Sequence, residues 1–244
     1  MAHIERTNKY TCLIFDADHT LLDYLSDEKA AFAALYRELG MPYSEELANF
    51  SRRASEETWT AAGMYDVHDE TVQKRYHHVY REHVEDIFKR IFEKYGYPKN
   101  GISPKAAGEK FLRNLENAGK LLAGTEETLA ELAEKYVVCI ATNGLSSIQR
   151  GRLQPIEKYA RGIYISEETG AIKPLPAFFE RIFKDWQVEP KDCLMIGDSL
   201  SSDIAGARAV GMDCCWFNPH GQENASSFIP DYEITSLREL ENFL

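Results

Sequence analysis

The sequence lacks the features that most readily place a chain on nucleic acid, in a membrane or in an oxidising compartment. It has no Lys/Arg-rich run, and 28 basic residues against 39 acidic ones give a formal charge of −11. Nucleic-acid readers take most of their affinity from clustered cations, so a polynucleotide partner is disfavoured. The same charge repels small phosphates at long range, so a phosphate site here needs local cations of its own. No apolar run approaches bilayer-spanning length, and the stretch Met1 to Tyr10 lacks the apolar centre of a signal peptide, so no membrane partner is expected. Cysteine is scarce and unpatterned. Cys12, Cys139, Cys193, Cys214 and Cys215 make an odd count without a CxxC pair, each in an apolar, strand-like run. They read as buried reduced thiols, which suits the cytoplasm. Internal repeats and low-complexity segments are also missing.

What is present is ordinary for a globular protein: 44% apolar and 27% charged residues over 244 positions. That length accommodates one large domain, or a core with a smaller domain inserted in it. The distinctive stretch is Cys12-Leu13-Ile14-Phe15-Asp16-Ala17-Asp18-His19-Thr20, an apolar run ending abruptly in acid. It reads as a buried strand with a site at its tip. Residues two apart on an extended backbone point the same way, so Asp16 and Asp18 are expected to converge. Two close carboxylates stay ionised together only if a cation or a shared proton relieves them, so the stretch calls for a metal, acid/base chemistry or both.

From Tyr24 to about Gly119 the periodicity is helical. Ser26 is placed as the cap of a helix over 27–39, followed by helical stretches over 45–62, 69–95 (with one possible break) and 105–116. From Thr125 onward, helices alternate with apolar runs at 137–141, 162–165, 193–196 and 214–217 and a weaker one at 232–234. A helix is expected over 146–158, a loop over 166–176, a helix opened by Asp203 and a last helix over 237–243. This alternation implies an α/β fold, a Rossmann-like parallel sheet covered on both faces. The opening strand has no neighbours of its own and must join that sheet. The expected organisation is therefore a core of residues 1–23 and 120–244 with an all-helical insertion over 24–119. In an open parallel sheet ligands bind beyond the carboxyl ends of the strands, where Asp16/Asp18, Thr142/Asn143 and Asp198 all fall.

Taken in order, Asp16-x-Asp18-x-Thr20, Thr142-Asn143-Gly144, Lys173-Pro174 and Gly197-Asp198-Ser199-x3-Asp203 resemble the four motifs of the haloacid dehalogenase-like (HAD) hydrolases. The resemblance covers the whole α/β portion, and the helical block stands where that superfamily inserts its cap. Within it, Ile165-Ser166-Glu167-Glu168-Thr169-Gly170, and Thr142-Asn143-Gly144-Leu145 ahead of Gln149 and Arg152, resemble the YjjG-type pyrimidine 5′-nucleotidases. The resemblance implies a Mg²⁺-dependent phosphatase acting on nucleoside 5′-monophosphates through an aspartyl-phosphate. It implies Asp16 as nucleophile and Asp18 as the acid and then the base. Asp16, the backbone carbonyl of Asp18 and Asp198 would bind Mg²⁺, and Thr142, Asn143, Gly144 and Lys173 would bind the phosphoryl group. Asp203 is expected to act behind the metal ligands or to cap its own helix.

Each motif alone has a plainer reading: a turn after a strand, a helix start, an extended loop before proline. Their order and their common place at strand ends favour catalysis. His19 stands where similar sequences commonly carry Gly, Glu or another small or polar residue, and reads as a partly exposed loop residue. Asp23 reads as a cap or brace at the start of the linker. His68, His77, His78 and His83 read as a solvated or core-edge face rather than metal ligands. Trp59, Tyr65, Arg75 and Tyr76 are candidates for contact with a base, with aromatic packing as the competing reading. Rival functions are phosphoglycolate or sugar-phosphate hydrolysis, 2-haloacid dehalogenation and a non-catalytic binding role. The expected partner is a small phosphorylated molecule, and the chain is expected to be a monomer or homodimer.

Overall fold

The computed structural model describes residues 9–244. The stretch read for its lack of a leader-like centre therefore lies largely outside the described residues. The chain divides into two compact units. One comprises the described residues up to Leu22 together with Leu121–Asn143 and Pro155–Leu244; the other comprises Asp23–Lys120 and Gly144–Gln154.

The first unit is built on β1 (Cys12–Phe15), whose four residues are all buried. The second unit then supplies α1 (Tyr24–Leu39), α2 (Glu45–Ala61), α3 (Glu70–Tyr95) and α4 (Pro104–Glu116). The chain continues with α5 (Thr125–Leu132), β2 (Val137–Thr142), α6 (Ser146–Leu153), β3 (Gly162–Ile165), α7 (Ser166–Thr169), α8 (Pro176–Trp186), β4 (Cys193–Gly197), α9 (Ala205–Ala209), β5 (Asp213–Phe217) and β6 (Tyr232–Ile234). The six strands form one sheet in the order β3-β2-β1-β4-β5-β6, with every pairing parallel. β1 is central because it is apolar on both faces, as a strand covered on both sides must be. Cys12 pairs in register with Val137 on one side and Cys193 on the other, so the tips of β1, β2 and β4 lie together. All five cysteines are free and buried.

The helical unit packs around aromatic rings. The Phe32 and Phe111 centroids are 4.4 Å apart, and Phe88 joins both. Leu145 and Ile148 belong to the same core, which is how α6 joins this unit although it follows β2 in sequence.

Several local expectations shift. α1 starts at Tyr24 rather than Asp27, because the cap is Asp23, whose carboxylate accepts from the Ser26 N–H and hydroxyl. α3 runs unbroken for 26 residues. α6 stops at Leu153, ahead of Pro155, whose ring cannot continue a helix; a 3₁₀ turn at Glu157–Tyr159 replaces the expected tail. Ser166–Thr169 is one helical turn rather than loop, and the terminal helix is 3₁₀. Asp203 does not open a helix. Ser199 caps a π-helical turn over Leu200–Ile204, and α9 follows it.

Candidate active site

β1 ends at Phe15, with the Asp16 N–H still donating to Ile196 O at 2.8 Å, and the extended backbone expected through Asp18 does not continue past it. Instead the chain folds into a tight turn after Asp16. The Leu21 and Leu22 N–H groups both donate to Ala17 O, and the His19 N–H donates to Leu22 O. His19 takes φ = 62°, the left-handed region that favours glycine. Its side chain is exposed. Asp16 is buried and Asp18 half-buried.

The carboxylates that close on one point with Asp16 are Asp198 and Asp203; one oxygen from each of the three lies within 4.8 Å of the others. Lys173, 1% exposed, stands among them. Its ammonium donates to Asp16 Oδ1 at 2.5 Å, to Asp203 Oδ1 at 2.7 Å and to Ala141 O at 2.7 Å. An ammonium has three protons, and here all three have acceptors. Lys173 thus offsets part of the carboxylate charge and orients Asp16 and Asp203. The lysine is itself locked by Asn143, whose side-chain amide donates to Lys173 O at 3.0 Å and accepts from Lys173 N–H at 2.8 Å. Thr142 ends β2 and is buried. Gly144 is grouped with the helical unit, where a Cβ would press on Gln149.

Asp203 is fully buried, and its Oδ2 accepts from the Ser199 N–H at 3.0 Å. That close approach requires glycine at 197, since a Cβ there would fall 2.2 Å from Asp203 Oδ2. Asp198 is held differently. Its N–H donates to Thr20 Oγ1 at 3.1 Å, and its carbonyl accepts from Trp216 Nε1 at 2.8 Å. The sequence reading missed the contacts made by Trp216, Thr20 and Ser199 and the clamp made by Asn143. A tryptophan in an apolar strand carries no motif to announce such a contact.

Three carboxylates against one ammonium leave the cluster with surplus negative charge. Burial, opposed by Lys173 and reinforced by the charges of Asp203 and Asp18, pushes the Asp16 carboxyl up to about 7. Burial, followed by the charges of Asp16 and Asp203, holds Asp198 well above the usual carboxylate range. For Lys173 burial works against the charge, but Asp16 and Asp203 outweigh it and raise its pKa. A cluster of hard oxygen donors with uncompensated charge fits a hard divalent cation such as Mg²⁺.

Residues 10–211 match the profile of the hydrolase family described as haloacid dehalogenase-like. This chain is a haloacid dehalogenase-like hydrolase. Its relatives include the HAD-type protein YfnB of Bacillus subtilis, 30% identical over 97% of this chain and 96% of that one. The pyrimidine 5′-nucleotidase PynA of Streptococcus pneumoniae is 32% identical over 95% of this chain and 93% of that one. A structure of YfnB bound to magnesium superimposes with a TM-score of 0.82 at 29% identity, covering 96% of this hydrolase and 98% of YfnB. A 2-haloacid dehalogenase from Pseudomonas syringae matches with a TM-score of 0.64 at 26% identity, covering 96% and 97% of the two chains.

The other candidates belong to the helical unit. Trp59 packs edge-on against Tyr76, Tyr80 and His83 inside the helical unit, in keeping with aromatic packing. Arg75 pairs with Glu82, and Tyr65 is exposed. His83 is buried, its Nδ1 2.7 Å from Thr58 Oγ1, and burial lowers its pKa to about 4. His78 is exposed beside Glu82. Among the described residues no histidine joins a set of three potential metal ligands, and no helix is long and apolar enough to cross a membrane.

Proposed function

We propose that this hydrolase is a Mg²⁺-dependent phosphatase of nucleoside 5′-monophosphates, with pyrimidine nucleotides preferred, working through an aspartyl-phosphate. The observation that carries the reading is the meeting of Asp16, Asp198 and Asp203 around the single ammonium of Lys173. A purely structural cluster gains nothing from two extra buried carboxylates, whose mutual repulsion costs stability. A cluster built to accept a cation and then a phosphate needs that surplus.

Asp16, its carboxylate oriented by Lys173, attacks phosphorus as the ester P–O bond breaks. Asp18 gives its proton to the leaving oxygen. Asp18 then takes a proton from a water that attacks phosphorus, which releases phosphate and restores Asp16. Asp16, the backbone carbonyl of Asp18 and Asp198 would hold Mg²⁺, with Asp203 in the same carboxylate group. When bound, the ion supplies the local positive charge that lets a dianionic phosphate approach carboxylates. Thr142, the Asn143 backbone and Gly144 would meet the phosphoryl oxygens, since the Asn143 side chain is occupied by Lys173. The nucleotide preference is supported by the PynA likeness over nearly the whole chain. The dehalogenase reading fits less well, because the leaving oxygen of an ester, unlike a halide, needs the proton that Asp18 delivers.

The test is phosphate release from a panel of nucleoside monophosphates, phosphoglycolate and sugar phosphates, with Mg²⁺ and with chelator. Mg²⁺-dependent release that is fastest from pyrimidine nucleotides is expected. Preference for phosphoglycolate or a sugar phosphate would overturn the substrate, and no release from any ester would overturn the phosphatase.

A further inference from the structure

The three clustered carboxylates are unequally restrained. Asp16 and Asp203 are each tied to the Lys173 ammonium, and Asp203 also accepts the Ser199 N–H. Among the described residues the Asp198 carboxylate has only a long contact of 3.5 Å, from the Thr20 hydroxyl. Repulsion from two neighbouring anions therefore falls on the least tethered member. What resists it is the backbone. Asp198 lies one residue beyond the end of β4, so its peptide groups are outside the sheet ladder, and side chains hold both. Thr20 Oγ1 takes the N–H at 3.1 Å, and the Trp216 indole gives its proton to the carbonyl at 2.8 Å.

Trp216 is well placed for this. It pairs in register with Gly197, is 4% exposed and packs in the core on one face of the sheet, so its ring has little freedom to move. An indole has a single donor and no acceptor, so the contact can run in one direction only. Filling this part of the core does not require a donor aimed at the one peptide that leads into the cluster.

We propose that Trp216 is a positioning residue for the divalent cation: its indole N–H fixes the Asp198 carbonyl and so keeps that carboxylate turned toward Asp16 and Asp203. The proposal rests on the metal reading above, and its test uses no substrate. Mn²⁺ binding to the whole protein is titrated by electron paramagnetic resonance, which counts free ion. Two variants are compared with wild type: Trp216→Phe, and a protein carrying benzothienylalanine at position 216, which keeps the shape of the indole and removes only its N–H. Outer partners of metal ligands typically change affinity by tenfold or more, so both variants are expected to bind Mn²⁺ about tenfold more weakly. The thermal midpoint of the benzothienylalanine protein without metal is expected to stay near that of wild type. Affinity within about twofold of wild type in the benzothienylalanine protein would overturn the proposal, even if Trp216→Phe is destabilised or fails to fold. Wild type that binds no Mn²⁺ would overturn the proposal together with its metal premise, whereas the ester panel judges the phosphatase reading separately.

Discussion

Two buried cations, one in each compact unit, face carboxylates, and they differ in charge balance. In the helical unit Arg152, fully buried, meets Asp27, 3% exposed at its side chain. The guanidinium gives Nε and Nη2 protons to Asp27 Oδ2 at 3.0 and 2.9 Å and an Nη1 proton to Gln149 Oε1 at 3.1 Å. Asp27 Oδ1 accepts the N–H groups of Gly119 and Lys120 at 3.1 and 2.9 Å. One positive charge meets one negative charge, and both Asp27 oxygens are occupied. In the α/β unit Lys173 meets three carboxylates and is outnumbered. The balanced pair joins the start of α1, the chain returning from α4, and α6. The unbalanced cluster ties together strand tips and leaves charge to be met from outside. Balance marks an internal joint here, and imbalance marks the cluster proposed to carry the chemistry.

The sharpest way to break this comparison is to neutralise one member of each cluster. Asp16→Asn removes the proposed nucleophile but also relieves repulsion, so phosphate release is expected to fall by on the order of 10⁴-fold or more while the melting temperature does not drop. Asp27→Asn should do the reverse. It leaves a buried guanidinium without its countercharge, and urea unfolding is expected to show a loss of about 3–5 kcal/mol. A variant at Asp27 that melted like wild type would place the joint elsewhere.

Glu28, the next residue along α1, sharpens the rule by falling between the two cases. It is buried and accepts from the Ser55 hydroxyl at 2.7 Å. Burial raises its carboxyl from 4.5 to about 6, against the Ser55 hydrogen bond and the charge of Arg52. The folded protein thus holds this proton more tightly than the unfolded chain does. The resulting stability is complete below pH 4.5 and lost as pH rises through 6. Glu28→Gln should therefore be more stable than wild type at pH 7.5 by about 2 kcal/mol, with the gap closing below pH 4.5. An equal gap at both pH values in urea titrations would show that the charge is not what matters.

Most of the framework was legible in the sequence because it rests on local pattern. Five of the six strands centre on an apolar run, the short β6 with its central Glu233 being the weaker signal, and α1 to α4 follow helical periodicity closed by Gly40 and Gly96. Asp16, Lys173 and Asp198, singled out from their order along the chain, do meet in space. What the sequence hid depends on distance or geometry. The Asp203 carboxylate joins those of Asp16 and Asp198, because a π-helical turn, not a helix start, carries it inward. The use of every Lys173 proton and the Trp216 contact are long-range facts with no local signature. The pairing of α6 with the helical unit is hidden for the same reason, since Arg152 and Asp27 are separated by 125 positions.

The most direct test of the central claim is a rapid acid quench of the protein mixed with Mg²⁺ and a radiolabelled pyrimidine nucleoside monophosphate, followed by peptide mapping. Label is predicted to appear on the peptide carrying Asp16 and to decay as phosphate is released, with none captured by Asp16→Asn. Turnover with no protein-bound label at any time, or label carried by a residue other than Asp16, would contradict the account.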